Sequence, residues 1–217
     1  MDTYYRPTRA EISLDALSRN IAAFRRALAP GTKLMASVKA NAYGHGAVEI
    51  ARESVSAGAD MLGVAFLDEA VQLRRGGIEA PILVLGYVPP EGFSVARELD
   101  ISVAMFREDA LEAAARPGTR PLRVHVKVDT GMGRLGVLPE EAVRFVERAM
   151  RTPGVEVEGL FTHFARADEA DKSYTRLQHE RFAAVTEAVR RRGLDIPLIH
   201  LGNSAAGIDT PEWTGGM

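Results

Sequence analysis

Lys39 is the residue of this sequence whose type and position best suit covalent chemistry. It follows a short apolar run, residues 34–38, and precedes a stretch with glycine at positions 44 and 46. An apolar run that ends in turn residues predicts a buried strand, and α/β folds place reactive groups at the carboxyl ends of strands. The chain has four lysines against twenty-three arginines. A lysine amine can lose its proton and attack a carbonyl, which a guanidinium cannot, although a lysine that extends from the rim of the fold into solvent would fit the same position.

A glycine-rich segment follows a second predicted strand. Lys127 and Asp129 lie at the end of that strand, and residues 130–136 then contain three glycines around Arg134. Glycine lets the backbone approach another group closely, and an arginine can bind an anion through two parallel N–H groups. The segment therefore predicts either an anion-binding loop or an ordinary glycine turn with a solvated arginine.

Two later strand ends carry further polar side chains. His163 lies between aromatic residues, where a histidine is more often packed than catalytic. The next strand ends at His200, and Asn203 and Ser204 follow in a Gly-x-Ser turn that opens a short helical segment. Such a turn offers N–H groups and a hydroxyl to an anion, and barrels often bind phosphate after strands seven and eight. A plain helix cap is the alternative.

Strands and helices alternate along the whole chain. Seven apolar strands are predicted near residues 35, 62, 83, 102, 125, 158 and 198. They lack polar alternation, which indicates a parallel sheet covered by helices. We expect an α/β fold, a (β/α)8 TIM-type barrel truncated after its seventh strand. A doubly wound open sheet is the alternative, but the glycines at 44 and 46 do not complete a dinucleotide-binding fingerprint.

The composition narrows the classes of function. A net charge of −2 over 217 residues predicts no nucleic-acid or membrane partner. Without cysteine the chain has no disulfide and no thiolate chemistry, and its five histidines form no close pair, so we expect no metal. No stretch approaches the roughly 20 apolar residues of a membrane span. A cytoplasmic protein is the expectation.

Residues 38–46, VKANAYGHG, resemble the pyridoxal 5'-phosphate (PLP) signature of alanine racemases, which are fold-type III PLP enzymes. The resemblance implies that Lys39 carries PLP on its amine and that Tyr43 approaches the cofactor phosphate. It also implies that Ser204, beside Asn203, binds this phosphate. The histidine matching His200 supports an arginine, on strand eight, that pairs with the pyridine nitrogen.

The glycine-rich segment resembles a second signature of the same family. There the arginine matching Arg134 contacts the phenolic oxygen of PLP and the substrate carboxylate. The lysine matching Lys127 is carbamylated in several members, which reverses its charge and orients the arginine. A histidine matching His163 lies beside the cofactor ring.

The resemblance also implies a domain organisation and an activity. Residues 1–12 are expected to form an N-terminal extension and residues 13–217 a PLP-binding barrel domain, with the eighth strand and a C-terminal β-domain absent. The expected function is interconversion of L- and D-alanine, which supplies D-alanine for peptidoglycan, in a cytoplasmic homodimer. A non-catalytic PLP-homeostasis protein and a racemase for serine or another amino acid are the alternatives.

We expect the 217-residue chain to have little racemase activity by itself. Racemisation by two bases needs one acid–base group on each face of the carbanion. Lys39 supplies one, and the resemblance places the other, a tyrosine, in the C-terminal domain of the neighbouring subunit. Loss of such a group lowers rates by about 10²- to 10⁴-fold. A coupled assay of D-alanine formation with added PLP, beside the full-length protein, measures this, and turnover within about tenfold of full length would contradict it.

Overall fold

The computed structural model describes residues 7–115 and 120–217, and these contain seven strands in one parallel sheet. Neighbours in the sheet follow the order of the sequence. The strands are β1 Met35–Ser37, β2 Met61–Val64, β3 Ile82–Val84, β4 Ser102–Met105, β5 Leu122–Lys127, β6 Val155–Phe161 and β7 Leu198–His200. The prediction of a truncated TIM-type barrel is confirmed, because a doubly wound sheet would reverse its strand order at a switch point.

Helices connect successive strands and cover the outside of the curled sheet. In chain order they are α1 Leu14–Ala27, α2 Lys39–Tyr43, α3 Ala47–Ser56, α4 Leu67–Arg75, α5 Phe93–Glu98, α6 Glu108–Ala114, α7 Pro139–Arg151, α8 Ser173–Arg191 and α9 Ser204–Asp209. Two 3₁₀ turns, Pro90–Gly92 and Pro211–Trp213, complete the described elements. In the described part of the chain, none of these helices combines the length and apolarity that crossing a bilayer requires. The domain boundary at residue 12 stays a prediction, since residues 1–6 lie outside the described ranges.

The two faces of the sheet bury different kinds of side chain. The outer face packs against the helices in one large apolar cluster, whose fully buried members include Leu62, Ile82 and Leu160. The inner face of β1–β3 is also apolar and forms a second cluster around Met61 and Leu83. On β5–β7 the inner positions instead carry polar and aromatic groups, among them His125, Lys127, Phe161 and His200. The polar half of the inner face is where a site can be built.

Residues 214–217 lie along both edges of the sheet. Gly215 pairs with His200 in an antiparallel bridge, and the N–H of Gly216 donates to the Ile199 carbonyl at 2.7 Å. The Gly216 carbonyl accepts from the N–H of Lys33, just before β1, at 2.9 Å. Met217 is buried in the inner apolar cluster. These residues contact both edges of the sheet because its unpaired backbone groups and apolar interior both gain partners there.

Candidate active site

Lys39 opens an unusual turn directly after β1. The four residues Ala40–Tyr43 all have φ between 51° and 55°, and Gly44 follows with φ 87°. This is a left-handed turn, a conformation that costs L-residues roughly 1–2 kcal/mol each. The turn brings the Tyr43 ring beneath the Lys39 amine, at 5.8 Å from Nζ to the ring centroid, and leaves that ring largely exposed. The sequence predicted a strand end and loop here but not the handedness.

Two side chains hold this left-handed turn. The carboxylate of Glu69 accepts the N–H of Ala40 at 2.6 Å and, through its other oxygen, the N–H of Ala65 at 2.7 Å. The side-chain oxygen of Asn41 accepts the N–H of Ala47 at 2.8 Å and so starts α3. Glu69 therefore joins the ends of β1 and β2, a role that its position in the first turn of α4 gave no means of predicting.

The last residues of β5, β6 and β7 lie side by side in the sheet. Lys127 is in register with Phe161, and Phe161 with His200. The Lys127 amine lies 4.4 Å from the centroid of the Phe161 ring. The same ring stacks on His200, with centroids 4.8 Å apart and planes within 6°. These three residues form a buried layer at the carboxyl ends of the strands.

Lys127 is a buried amine with little compensation for its charge. Burial, reinforced by the nearby Arg134 charge and opposed by Asp129, lowers the pKa of Lys127 to about 7. No carboxylate lies within ion-pairing distance of it in the described structure. Near neutral pH a substantial fraction of this amine is therefore uncharged and nucleophilic.

Asp129 shapes the glycine-rich loop that carries Arg134. Its carboxylate accepts N–H groups of Gly131 at 2.9 Å, Gly133 at 3.0 Å and Arg134 at 3.2 Å. Burial raises the pKa of Asp129, but these backbone hydrogen bonds outweigh it and the net pKa is lowered. The Arg134 residue itself is exposed. Asp129 therefore holds the backbone of the loop and Arg134 is exposed on it, so the anion-binding loop and the solvated arginine both stay open.

His163 lies in the field of the site's cations. Burial and the charges of Lys127, Arg134 and Lys39 lower the pKa of His163 to about 4. Its imidazole is therefore neutral at physiological pH. The fully buried Gln178 of α8 fixes the local backbone, because its amide donates to the His163 carbonyl at 3.1 Å and accepts the N–H of Ala165 at 2.8 Å.

His200 belongs to a hydrogen-bonded chain inside the sheet. Its Nε2 lies 2.9 Å from Nδ1 of His125, and Nε2 of His125 lies 3.1 Å from the Glu158 carboxylate. Burial is the main cause that lowers the pKa of His200 well below its usual range. Sequence reasoning missed His125 and Glu158. The available signal was a histidine two positions before Lys127, on the same face of the same strand.

Asn203 and Ser204 lie at the start of α9, as predicted. The Asn203 side chain accepts the N–H of Ala206 at 2.9 Å, so this residue is a helix cap. Ser204 is exposed. The first N–H groups of a helix have no partner within it. The cap and an anion contact at Ser204 are therefore compatible.

A family model described as the alanine racemase N-terminal domain matches residues 12–214. The chain belongs to this family. It is 47% identical over 220 residues to an alanine racemase of Geobacillus stearothermophilus, covering 100% of this chain and 56% of the relative. The chain thus spans little more than half the length of the curated alanine racemases that it matches.

Solved structures of the alanine racemase family share the fold. The Clostridium difficile 630 enzyme, in complex with cycloserine, superposes with a TM-score of 0.92 at 36% identity, covering 99% of this chain and 60% of that one. The Bacillus anthracis enzyme with bound L-Ala-P gives a TM-score of 0.89 at 39% identity, covering 95% and 54%.

The buried amine of Lys127 should make the free energy of unfolding depend on pH. Because its pKa falls from 10.5 unfolded to about 7 folded, the unfolded state binds more protons between these values, and the free energy of unfolding rises with pH there. Replacing it by Lys127→Met should raise that free energy on the order of 4 kcal/mol near pH 7 but only about 2 kcal/mol near pH 9. Urea unfolding at both pH values, in buffer free of carbon dioxide, measures this.

The matched control is Lys33→Met at an exposed lysine. Surface substitutions of this kind change stability by less than about 0.5 kcal/mol, so the control should not reproduce the gain at either pH. A Lys127→Met gain that is equal at both pH values would contradict the buried, depressed amine.

Proposed function

We propose that this chain is the PLP-binding domain of an alanine racemase, which interconverts L- and D-alanine. The observation that carries the proposal is the family match over nearly the whole chain together with a lysine held beside a cluster of cationic groups at the strand ends. The relatives that carry the name alanine racemase favour this substrate over serine and favour an enzyme over a PLP-homeostasis protein.

The polar side chains of the candidate active site fit a cofactor that is aromatic and negatively charged. The charges of Lys39, Lys127 and Arg134 all lower the pKa of the partly buried His163. The carboxylate of Asp129 is occupied by backbone N–H groups. The region is therefore positive, as a phosphate and a phenolate require. The neutral His163 ring can pack against a heteroaromatic ring without adding charge. PLP, when bound, supplies an aldehyde for the amine and a pyridine ring that withdraws electrons from the α carbon.

Lys39 has two roles in this proposal. Its Nζ would hold the cofactor covalently, and the same atom would accept or return the proton on one face of the substrate's α carbon. The left-handed turn fixes the backbone from which the Lys39 side chain extends, since Glu69 joins the backbone of Ala40 to the end of β2. Because the backbone at Lys39 is restrained, its side chain has fewer conformations to sample before it reaches the reactive geometry.

Arg134 binds the anionic oxygens in this proposal. Its guanidinium, on the loop shaped by Asp129, binds the phenolic oxygen and the substrate carboxylate. Lys127 becomes a carbamate whose negative charge orients Arg134. The support is the lowered pKa of Lys127 and the lack of a carboxylate partner among the described residues. A neutral amine adds to carbon dioxide and releases one proton to water, and the carbamate anion that forms is stabilised by the nearby Arg134 charge.

Contacts at the other end of the site complete the proposal. Tyr43 and Ser204 bind the phosphate, with Asn203 fixing the start of α9. His163 lies beside the ring, and His200 supports a cationic partner of the pyridine nitrogen. We also propose, on the strength of family membership, that the complete protein is a cytoplasmic homodimer that provides D-alanine for peptidoglycan.

The covalent role of Lys39 can be tested directly. Incubation with PLP, borohydride reduction and peptide mass spectrometry should place the pyridoxyl group on the peptide containing Lys39. Lys39→Arg keeps the cation but cannot form the bond, so the label should disappear from this site. Lys33→Arg is the control for unspecific labelling of exposed lysines. Equal labelling of the wild type and of Lys39→Arg would refute the assignment.

Carbamylation of Lys127 should follow its protonation state. In ¹³C-bicarbonate, ¹³C NMR should reveal a carbamate signal that grows as the pH rises through about 7, since only the neutral amine reacts. Lys127→Ala should abolish the signal and Lys172→Ala should retain it. A bare amine with bicarbonate in excess at about pH 8 would exclude this role.

A further inference from the structure

A β-bulge turns Glu158 toward the inner face of the sheet. Val124 pairs with Val157, but the next residue, His125, pairs with Gly159, so Glu158 is the extra residue of β6. Bulges re-aim side chains and recur beside functional sites. Here the carboxylate accepts Ser102 Oγ at 2.6 Å and faces Arg123 at 3.8 Å. It is thereby held against Nε2 of His125.

Gly159 gives His125 the space to cross β6. A Cβ at this glycine would lie less than 3.0 Å from three atoms of the His125 ring. Without it, the ring extends over β6 from β5 and meets His200 on β7, at 2.9 Å. His125 is fully buried. The bulge and the glycine are separate features, and both are needed to connect Glu158 to His200.

The positions of the protons in this chain follow from its chemistry. A carboxylate only accepts hydrogen bonds, and hydrogen bonds from His125 and Ser102, against a burial penalty, lower the pKa of Glu158 to about 2. Nε2 of His125 therefore carries a proton. In a neutral ring Nδ1 is then bare and accepts from Nε2–H of His200. The remaining nitrogen of His200, Nδ1, is left as an acceptor.

His125 meets the Glu158 carboxylate at a distance typical of a neutral N–H donor. Its 3.1 Å contact to the carboxylate is longer than the 2.7–2.9 Å usual for a charged donor. The carboxylate is already shared with Ser102 and Arg123.

We propose that Glu158 acts through His125 as a positioning residue, which holds His200 in its Nε2–H tautomer and so presents an acceptor in the candidate active site. An acceptor at this point selects an N–H donor, such as a cationic side chain, as its neighbour, and gives that donor a fixed direction. The proposal adds to the role of His200 in the proposed function. It rests on that function only in treating the carboxyl ends of β5–β7 as an active site.

The test is ¹⁵N NMR of the protein labelled at histidine, without cofactor. Long-range ¹H–¹⁵N correlation distinguishes protonated from bare ring nitrogens, and the five histidines can be assigned by single substitutions. We expect His200 in the Nε2–H form alone. In Glu158→Gln the carboxamide can donate as well as accept, so the single tautomer should be lost. The exposed Glu156→Gln, on the same strand, should leave it unchanged.

A second variant keeps the test valid if Glu158→Gln does not fold, which circular dichroism would reveal. Gly159→Ala separates the two rings without changing any charge and should also abolish the single tautomer. A proton on Nδ1 of His200 in the wild type, or a tautomer that persists in the folded variants, overturns the proposal. Because no PLP is present, the result is independent of whether Lys39 carries the cofactor.

Discussion

The constraint on which the site depends is the burial of basic groups at the carboxyl ends of β5–β7. Lys127, His200 and His125 lie in a region where a full charge costs several kcal/mol unless it is paired. Each remains there by being partly or wholly neutral, or by hydrogen bonding to a neighbour. Carboxylates, meanwhile, are engaged elsewhere: Asp129 by the backbone of its loop and Glu158 by His125. These buried groups therefore carry little fixed charge of their own, and an anion placed beside them would lower the cost of charging them.

Lys39 is positioned by a different means, backbone strain. Four consecutive left-handed residues that are not glycine cost on the order of 4–8 kcal/mol. The Glu69 carboxylate and the Asn41 side chain offset part of this through hydrogen bonds to backbone N–H groups at the ends of β1 and β2 and at the start of α3. Strain that persists under such restraint is characteristic of functional sites. A relaxed turn at the same place would leave the amine free to sample solvent, so the strain and the reactive side chain belong together.

The sequence predicted the strands, their parallel arrangement and the loops with Lys39 and Arg134, because each depends on a local pattern of apolar runs and glycines. It did not predict Glu69, His125 or Glu158, because their roles depend on partners 29, 75 and 33 positions away. The bulge at Glu158 also breaks the period of two on which the choice of inner face rests. The path of residues 214–217 also depends on distant partners, since the small size of Gly215 and Gly216 lets them lie close along β7.

The division of the inner face follows from these restraints. On β1–β3 the inward positions are apolar and pack with Met217. This packing stabilises the sheet but offers no polar group to a ligand. On β5–β7 the same positions hold a polar layer that stabilises less, because every group in it must first lose water. The fold tolerates this less stabilising polar layer because the outer face of the sheet forms a continuous apolar cluster along all seven strands. Stability therefore comes mainly from the contacts between the sheet and the helices. The carboxyl ends of β5–β7 hold the Lys127 amine and the His200 imidazole in the interior, and the Arg134 guanidinium belongs to an exposed residue near them.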